Sequence, residues 1–167
     1  MEIERKFLIH RPNLLSELTL DEITQTYLVR QNEATERRIR WRGTPETGWR
    51  HFYTEKTAVS AISRIENERE ITPEEYQRLM SEADQEYGTI HKKRYCVPYQ
   101  EQMLEIDEYD FGLTVLEIEL ASENDPITLP SWVRVIREVT GEKEYSNAGI
   151  AKQRMQQNQS SILTIRT

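Results

Sequence analysis

The feature that most limits how this chain can fold is a two-residue alternation of charged and apolar side chains that returns in segment after segment. In Glu2-Ile3-Glu4-Arg5-Lys6-Phe7-Leu8-Ile9, the residues Glu2, Glu4 and Lys6 share one parity, and Ile3, Phe7 and Ile9 lie opposite. Successive side chains of an extended strand point to opposite faces, so the parity predicts a strand with one charged and one apolar face. The same pattern predicts strands at residues 22–30, 35–42, 49–57, 62–71, 89–97, 102–111 and 113–121. Turn signals at Gly43-Thr44-Pro45, Pro98 and Gly112 punctuate them.

Helical patterns are short and peripheral. They occur after Pro12 (Leu14, Leu15, Leu18), after Thr72, where Thr72 caps and Pro73 takes the first turn, and from Tyr145 or Asn147 through Met155. The run from Gln156 to Ser161 reads as a loose tail, and Ile162, Leu163 and Ile165 are apolar enough for a small added strand. The expected layout is one α+β domain over residues 1–155, then a tail or added strand over residues 156–167.

The charged faces are not mixed. Arg38, Arg40 and Arg42 stand against Ile39 and Trp41; Arg50 and Lys56 share a parity; Arg64, Glu66, Glu68 and Glu70 stand against Ile65 and Ile71. Lys92 and Arg94 follow, then Glu105 and Asp107, then Glu117 and Glu119. One account is the solvated face of an antiparallel sheet packed on helices. Against it, acidic pairs and basic pairs are largely segregated onto different strands, where like neighbours repel unless a ligand separates them. A divalent cation at Asp107, Glu117 and Glu119 relieves the acidic repulsion, and a polyanion along Arg38, Arg40, Lys56 and Arg94 relieves the basic one. Together these ligands describe metal plus polyphosphate. Hard Mg²⁺ or Mn²⁺ suits carboxylate oxygens, whereas His10, His51 and His91 form no HxxxH or HExxH spacing for zinc.

Composition narrows the partners. The 167 residues fit one domain, and the formal net charge of -7 gives no global basic field to draw the chain onto nucleic acid. Cys96 is alone, so no intramolecular disulfide forms. No segment approaches the roughly 18 consecutive apolar residues of a membrane span, and no basic segment leads into an apolar run at the N-terminus. The expectation is a cytoplasmic protein with no membrane partner; homodimerisation is left open.

From Glu2-Ile3-Glu4-Arg5-Lys6 onward, the sequence resembles the CYTH, or triphosphate tunnel metalloenzyme, superfamily, whose first strand bears an ExExK motif. The resemblance continues in order through Gln25-Thr26-Tyr27-Leu28, Arg38-Ile39-Arg40, Lys56, Glu68-Arg69-Glu70-Ile71, Lys92-Lys93-Arg94-Tyr95, Glu105-Ile106-Asp107, Glu117-Ile118-Glu119, Val139-Thr140-Gly141-Glu142-Lys143 and Tyr145-Ser146-Asn147. It implies an eight-stranded antiparallel barrel with a charged interior and peripheral helices. It further implies that Asp107, Glu117 and Glu119 sit at a metal, and that Glu2 and Glu4 serve a second cation or the attacking water. Lys6, Arg38, Arg40, Lys56, Arg94 and Lys143 match residues that grip phosphates. Glu144 departs from the pattern, because a basic residue often stands there in related bacterial chains. Lys92 and Glu105 match less closely and read equally as salt-bridge partners, while Glu66, Glu68 and Glu70 either line the tunnel or hold Arg64.

The activity so implied is Mg²⁺- or Mn²⁺-dependent hydrolysis of a triphosphate, inorganic tripolyphosphate before thiamine triphosphate. A class IV adenylyl cyclase is an alternative within the superfamily, although no residue here is assignable to adenine or to a ribose hydroxyl. A noncatalytic polyphosphate-binding module is an alternative of another kind. Glu2 and Glu4 speak against it, since a pure binder gains nothing from carboxylates that repel its ligand.

Overall fold

In the computed structural model, which describes the backbone of residues 1–166 and the side chains of residues 1–158, the alternating segments become strands of one sheet. They are β1 (Glu2–Ile9), β2 (Leu20–Leu28), β3 (Thr35–Thr44), β4 (Gly48–Ala58), β5 (Ser63–Ile71), β6 (Ile90–Tyr99), β7 (Gln102–Tyr109) and β8 (Thr114–Glu119). The hydrogen-bonded order is β5-β4-β3-β2-β6-β7-β8-β1, all antiparallel. Pairing of β1 with β5, at Glu2↔Arg64 and Ile3↔Ser63, closes the ring. The expected eight-stranded barrel is therefore present, and closure removes the unpaired edges of an open sheet.

A ninth strand, β9 (Val135–Glu138), lies outside the eight that alternation predicts. It pairs with Phe7–Ile9 of β1, so a single edge of β1 carries β5 along its first half and β9 along its second. All four β9 residues are exposed, and so short a run leaves no alternation to read.

Two helices flank the barrel. The first, α1 (Pro73–Leu79), starts as expected, with Thr72 Oγ1 accepting from Glu75 N–H at 3.1 Å and Pro73 entering the first turn. The second, α2 (Asn147–Arg166), is capped by Ser146, whose Oγ accepts from Gly149 N–H at 3.0 Å. It corrects the reading of residues 156–165 as tail or added strand: the backbone continues as helix. No Gly or Pro follows Gly149 to break it, and Gln and Met are good helix formers. After Pro12 the chain makes only a short 3₁₀ turn, Asn13–Glu17.

The apolar faces of β1, β6, β7 and β8 pack outside the barrel. Phe7, Leu104, Ile106, Leu116 and Ile118 are buried under Leu15 and the segment carrying Ile127, Leu129 and Trp132. On the other side Leu28, Ile39 and Ile71 are covered by Tyr76 and Leu79 of α1. Inside, one end is plugged by Leu8, Tyr27, Ile90, Tyr109 and Val115, packed on Val139, Ile150 and Ala151. The rest of the interior is left mainly to charged and polar groups.

Candidate functional site

Residues directly opposite in an antiparallel pair share a face, so the register identifies what points inward. On β1 and β8, Lys6 faces Glu117 and Glu4 faces Glu119. On β3, β4 and β5, Arg38 meets Thr54, which in turn meets Glu68, while Lys56 meets Glu66 and Arg40 meets Phe52. On β6 and β7, Arg94 meets Asp107 and Lys92 meets Tyr109. All the expected strand residues of the site therefore lie on the interior face, and Lys143 lies in a 3₁₀ turn at its rim.

Their partners divide them. Asp107 is completely buried; Arg94 Nε and Nη2 donate to its two oxygens at 2.8 and 2.9 Å, and Lys92 Nζ reaches Oδ2 at 2.8 Å. Burial pushes the Asp107 carboxyl up, but Arg94 and Lys92 outweigh it and hold the group well below the usual carboxylate range. Burial likewise works on the Lys92 ammonium, which is lowered to about 8 despite Asp107. Arg94 spends its third nitrogen on Glu105 at 2.9 Å. Lys92 and Glu105 are thus salt-bridge partners of Asp107 and Arg94 respectively. Glu66 and Glu68 line the interior and hold Arg38 (3.8 Å) and Arg40 (2.9 Å), while Glu70 holds Arg50, so none of the three takes Arg64.

The acids near β1 are less evenly matched. Glu117 is buried with Lys6 Nζ at 3.2 Å; burial raises its pKa, but Lys6 leads the cations that bring it down to about 2. Glu4 has no ion-pair partner within salt-bridge distance among the described residues. Burial first, then the neighbouring Glu117 charge, pushes its carboxyl up to about 8. Glu2 is tied to Lys56 Nζ at 3.3 Å. Burial raises the Glu2 carboxyl, yet its hydrogen bond with Glu66 and the Lys56 charge leave it below the usual value. The same burial and the shared hydrogen bond push Glu66 up to about 7.

One expected grouping does not form. Asp107, Glu117 and Glu119 do not converge as a metal cluster: among the described residues no three His, Cys, Asp or Glu side chains are spaced to hold an ion. Asp107 is turned to Arg94 and Lys92, and Glu119 is exposed.

A cavity of about 610 Å³ opens beside β1, where β5 and β9 part. Lys6, Lys56, Lys143 and Glu4 line it, and Glu144 stands on the same rim. Asn147, at the start of α2, reaches inward from this side, accepting at Oδ1 from Lys92 Nζ at 3.2 Å and from the Tyr109 hydroxyl. On β2, the register brings in two residues to which the family motif gives no role: Gln25 and Tyr27 face the interior beside Arg40 and Arg38. The parity of β2 is the signal in the sequence that finds them.

The chain thus forms a closed barrel with apolar packing outside and a lining of cations and carboxylates inside. The chain belongs to the CYTH domain family, which it matches over residues 1–153. Among solved structures, the inorganic triphosphatase NE1496 is 28% identical with a TM-score of 0.59, over 91% of this chain and 95% of that one. PH1012 from Pyrococcus horikoshii OT3 is 22% identical (TM-score 0.56, 74% of this chain and 80% of that one). HpAC1 from Hippeastrum, an adenylyl cyclase-type protein with a dominant triphosphatase activity, is 18% identical (TM-score 0.55, 73% and 80%). These last two share the fold. No curated protein sequence matches. Among the described residues no helix is long and apolar enough to cross a membrane.

Proposed function

We propose that this protein hydrolyses a triphosphate, inorganic tripolyphosphate in first place, with a divalent cation, Mg²⁺ or Mn²⁺, as cofactor. The observation that carries the reading is a closed interior lined by a dense set of cations and carboxylates, Lys6, Arg38, Arg40, Lys56 and Arg94 among them. In the ring of eight strands β3 lies four places from β8, so Arg38 and Arg40 face the wall that bears Glu117 and Glu119. The similarity to the inorganic triphosphatase NE1496 supports the choice of substrate class.

The residues fit a cation at the β1–β8 wall. Glu4 is a carboxyl that burial and Glu117 hold protonated to about 8, opposite the exposed Glu119, so added positive charge there relieves an existing repulsion. Among the described residues no three carboxylates are spaced to hold an ion on their own, so Glu4 and Glu117 would hold it together with phosphate oxygens and water, and a bound divalent ion would supply charge neutralisation and a more acidic water. Arg38 and Arg40 attract and orient the phosphate chain, Lys6, Lys56 and Lys143 draw it in from the cavity, and Arg94 is kept rigid by Asp107 and Glu105. Phosphoryl transfer through a loose transition state needs mainly such positioning and preorganised charge, with no protein nucleophile.

The test is phosphate release from tripolyphosphate, thiamine triphosphate and ATP, each with Mg²⁺ and with Mn²⁺. Fastest release from tripolyphosphate is expected. No release from any of the three with either ion overturns the reading.

A further inference from the structure

The interior wall formed by β2 and β3 carries polar groups that no group among the described residues satisfies. Gln25 is completely buried, directly opposite Arg40, and among the described residues neither its Oε1 nor its Nε2 has a hydrogen-bond partner. On the same wall Nε of Arg38, Nε of Arg40 and the Tyr27 hydroxyl oxygen are likewise without partners among the described residues. The other ends of the two guanidiniums are held by Glu66 and Glu68, which fixes where their free N–H groups point.

Leaving both ends of a buried amide unpaired costs stability, and Met or Leu would fill the same volume without that cost. The groups share one chemistry. Three N–H donors, from Arg38, Arg40 and Gln25, lie together on one interior wall among cations, a donor set that suits a phosphoryl oxygen. Gln25 Oε1 adds an acceptor, which a fully ionised phosphate oxygen does not satisfy but a P–OH or a water on the phosphate chain does.

We propose that Gln25 is a substrate-binding residue, donating from Nε2 to a phosphoryl oxygen held beside Arg40 and accepting at Oε1 from an O–H on the phosphate chain or its hydration shell. The proposal rests on the triphosphatase reading and adds a neutral contact to a charged clamp. Because the amide carries no charge, it contributes orientation without long-range attraction, so its effect is insensitive to ionic strength.

The test pairs tripolyphosphate kinetics with ligand-free thermal melts on the parent, on Gln25→Met and on Gln25→Asn, the last retaining the amide but one methylene shorter. In Gln25→Met, KM rises about tenfold or more at both low and high salt, in line with loss of a hydrogen bond to a charged group, while the melting temperature stays level or rises. Gln25→Asn shows the same KM rise if the Met variant does not fold. A KM within about twofold of the parent, or a raised KM with a lower melting temperature, overturns the proposal and marks Gln25 as structural. Absence of phosphate release from the parent overturns the functional reading and this one with it, so the two failures are told apart.

Discussion

Single residues divide into those already occupied and those still waiting. Asp107 is occupied: with both oxygens given to Arg94 and Lys92, it stiffens the cationic wall. Glu4 is the opposite case, a carboxyl with no cation at salt-bridge distance, pushed up to about 8 by burial and by Glu117. Replacing it by Gln changes little in the charge of the resting protein at neutral pH, because the group is already largely protonated there. Glu4→Gln should therefore match the parent's melting temperature in mildly acid solution and exceed it at neutral pH, where only the parent's unfolded chain gains by ionising this group. Triphosphate affinity should hold or improve, since no new negative charge faces the ligand. Turnover should fall on the order of 10² or more, because the variant cannot become the anion that a cation or a water needs. Calorimetry with single-turnover hydrolysis on the same sample checks both halves, and full activity would remove Glu4 from the chemistry. Glu2 does not make so clean a test, since Glu2→Gln also releases Lys56.

At the scale of elements, the strands are legible in the sequence because the barrel is inverted. Charge inside and apolar packing outside write opposite characters on alternate residues, so parity alone assigns Arg38-Ile39-Arg40 and Glu117-Ile118-Glu119 to faces. Parity does not say which strands meet. It groups Asp107 with Glu117 and Glu119, although Arg94, its directly opposite neighbour on β6, claims it. The turn after β6 is displaced from Pro98 for a related reason. The strand runs on to Tyr99, and the turn is Gln100-Glu101, both at positive φ (47° and 64°), where no Gly or Asn announces it. Pro98 is tolerated because Tyr99 and Gln102 flank the turn as the hydrogen-bonded pair, leaving Pro98 in a position that faces the edge β2 no longer covers beyond Tyr95. The junction into α2 gives a prediction of its own. A Cβ at Gly149 would collide with the backbone carbonyl oxygen of Lys143, in the turn that leads into the helix. In an ordinary helix Gly→Ala stabilises by about 0.8–1 kcal/mol. Here Gly149→Ala should destabilise by about 1–3 kcal/mol, as overpacking does, because it displaces the turn that sets Asn147 against Lys92 and Tyr109. Urea unfolding reads the sign, and a gain in stability would mean that the junction moves freely.

For the molecule as a whole, the interior sets how stability responds to pH. Glu4 is raised to about 8 and Glu66 to about 7, each first by burial and then by a neighbouring carboxyl, Glu117 in one case and Glu2 in the other. An unfolded chain releases these protons near the ordinary value of 4.5, so above it the native state binds more protons than the unfolded one, and stability falls as pH rises until the native groups also ionise. Glu117, brought down to about 2 chiefly by Lys6 against the effect of burial, and Asp107, held low by Arg94 and Lys92, work in the other direction. Their contribution is complete above the ordinary carboxylate values and is lost on acidification toward about 2. The ligand-free protein should therefore be most stable in mildly acid solution, with a limb declining from about pH 5 to about pH 8 at up to about 1.4 kcal/mol per pH unit for each raised group. Glu4→Gln should flatten that limb and leave the acid limb in place, because a neutral amide has no proton to lose. Urea midpoints measured across the range on both proteins test this. A parent midpoint that is flat or rising between about pH 5 and about pH 8 would show that the interior carboxyls ionise in the folded barrel as they do in water, and with it the unrelieved repulsion at Glu4 and Glu117 would lose its support.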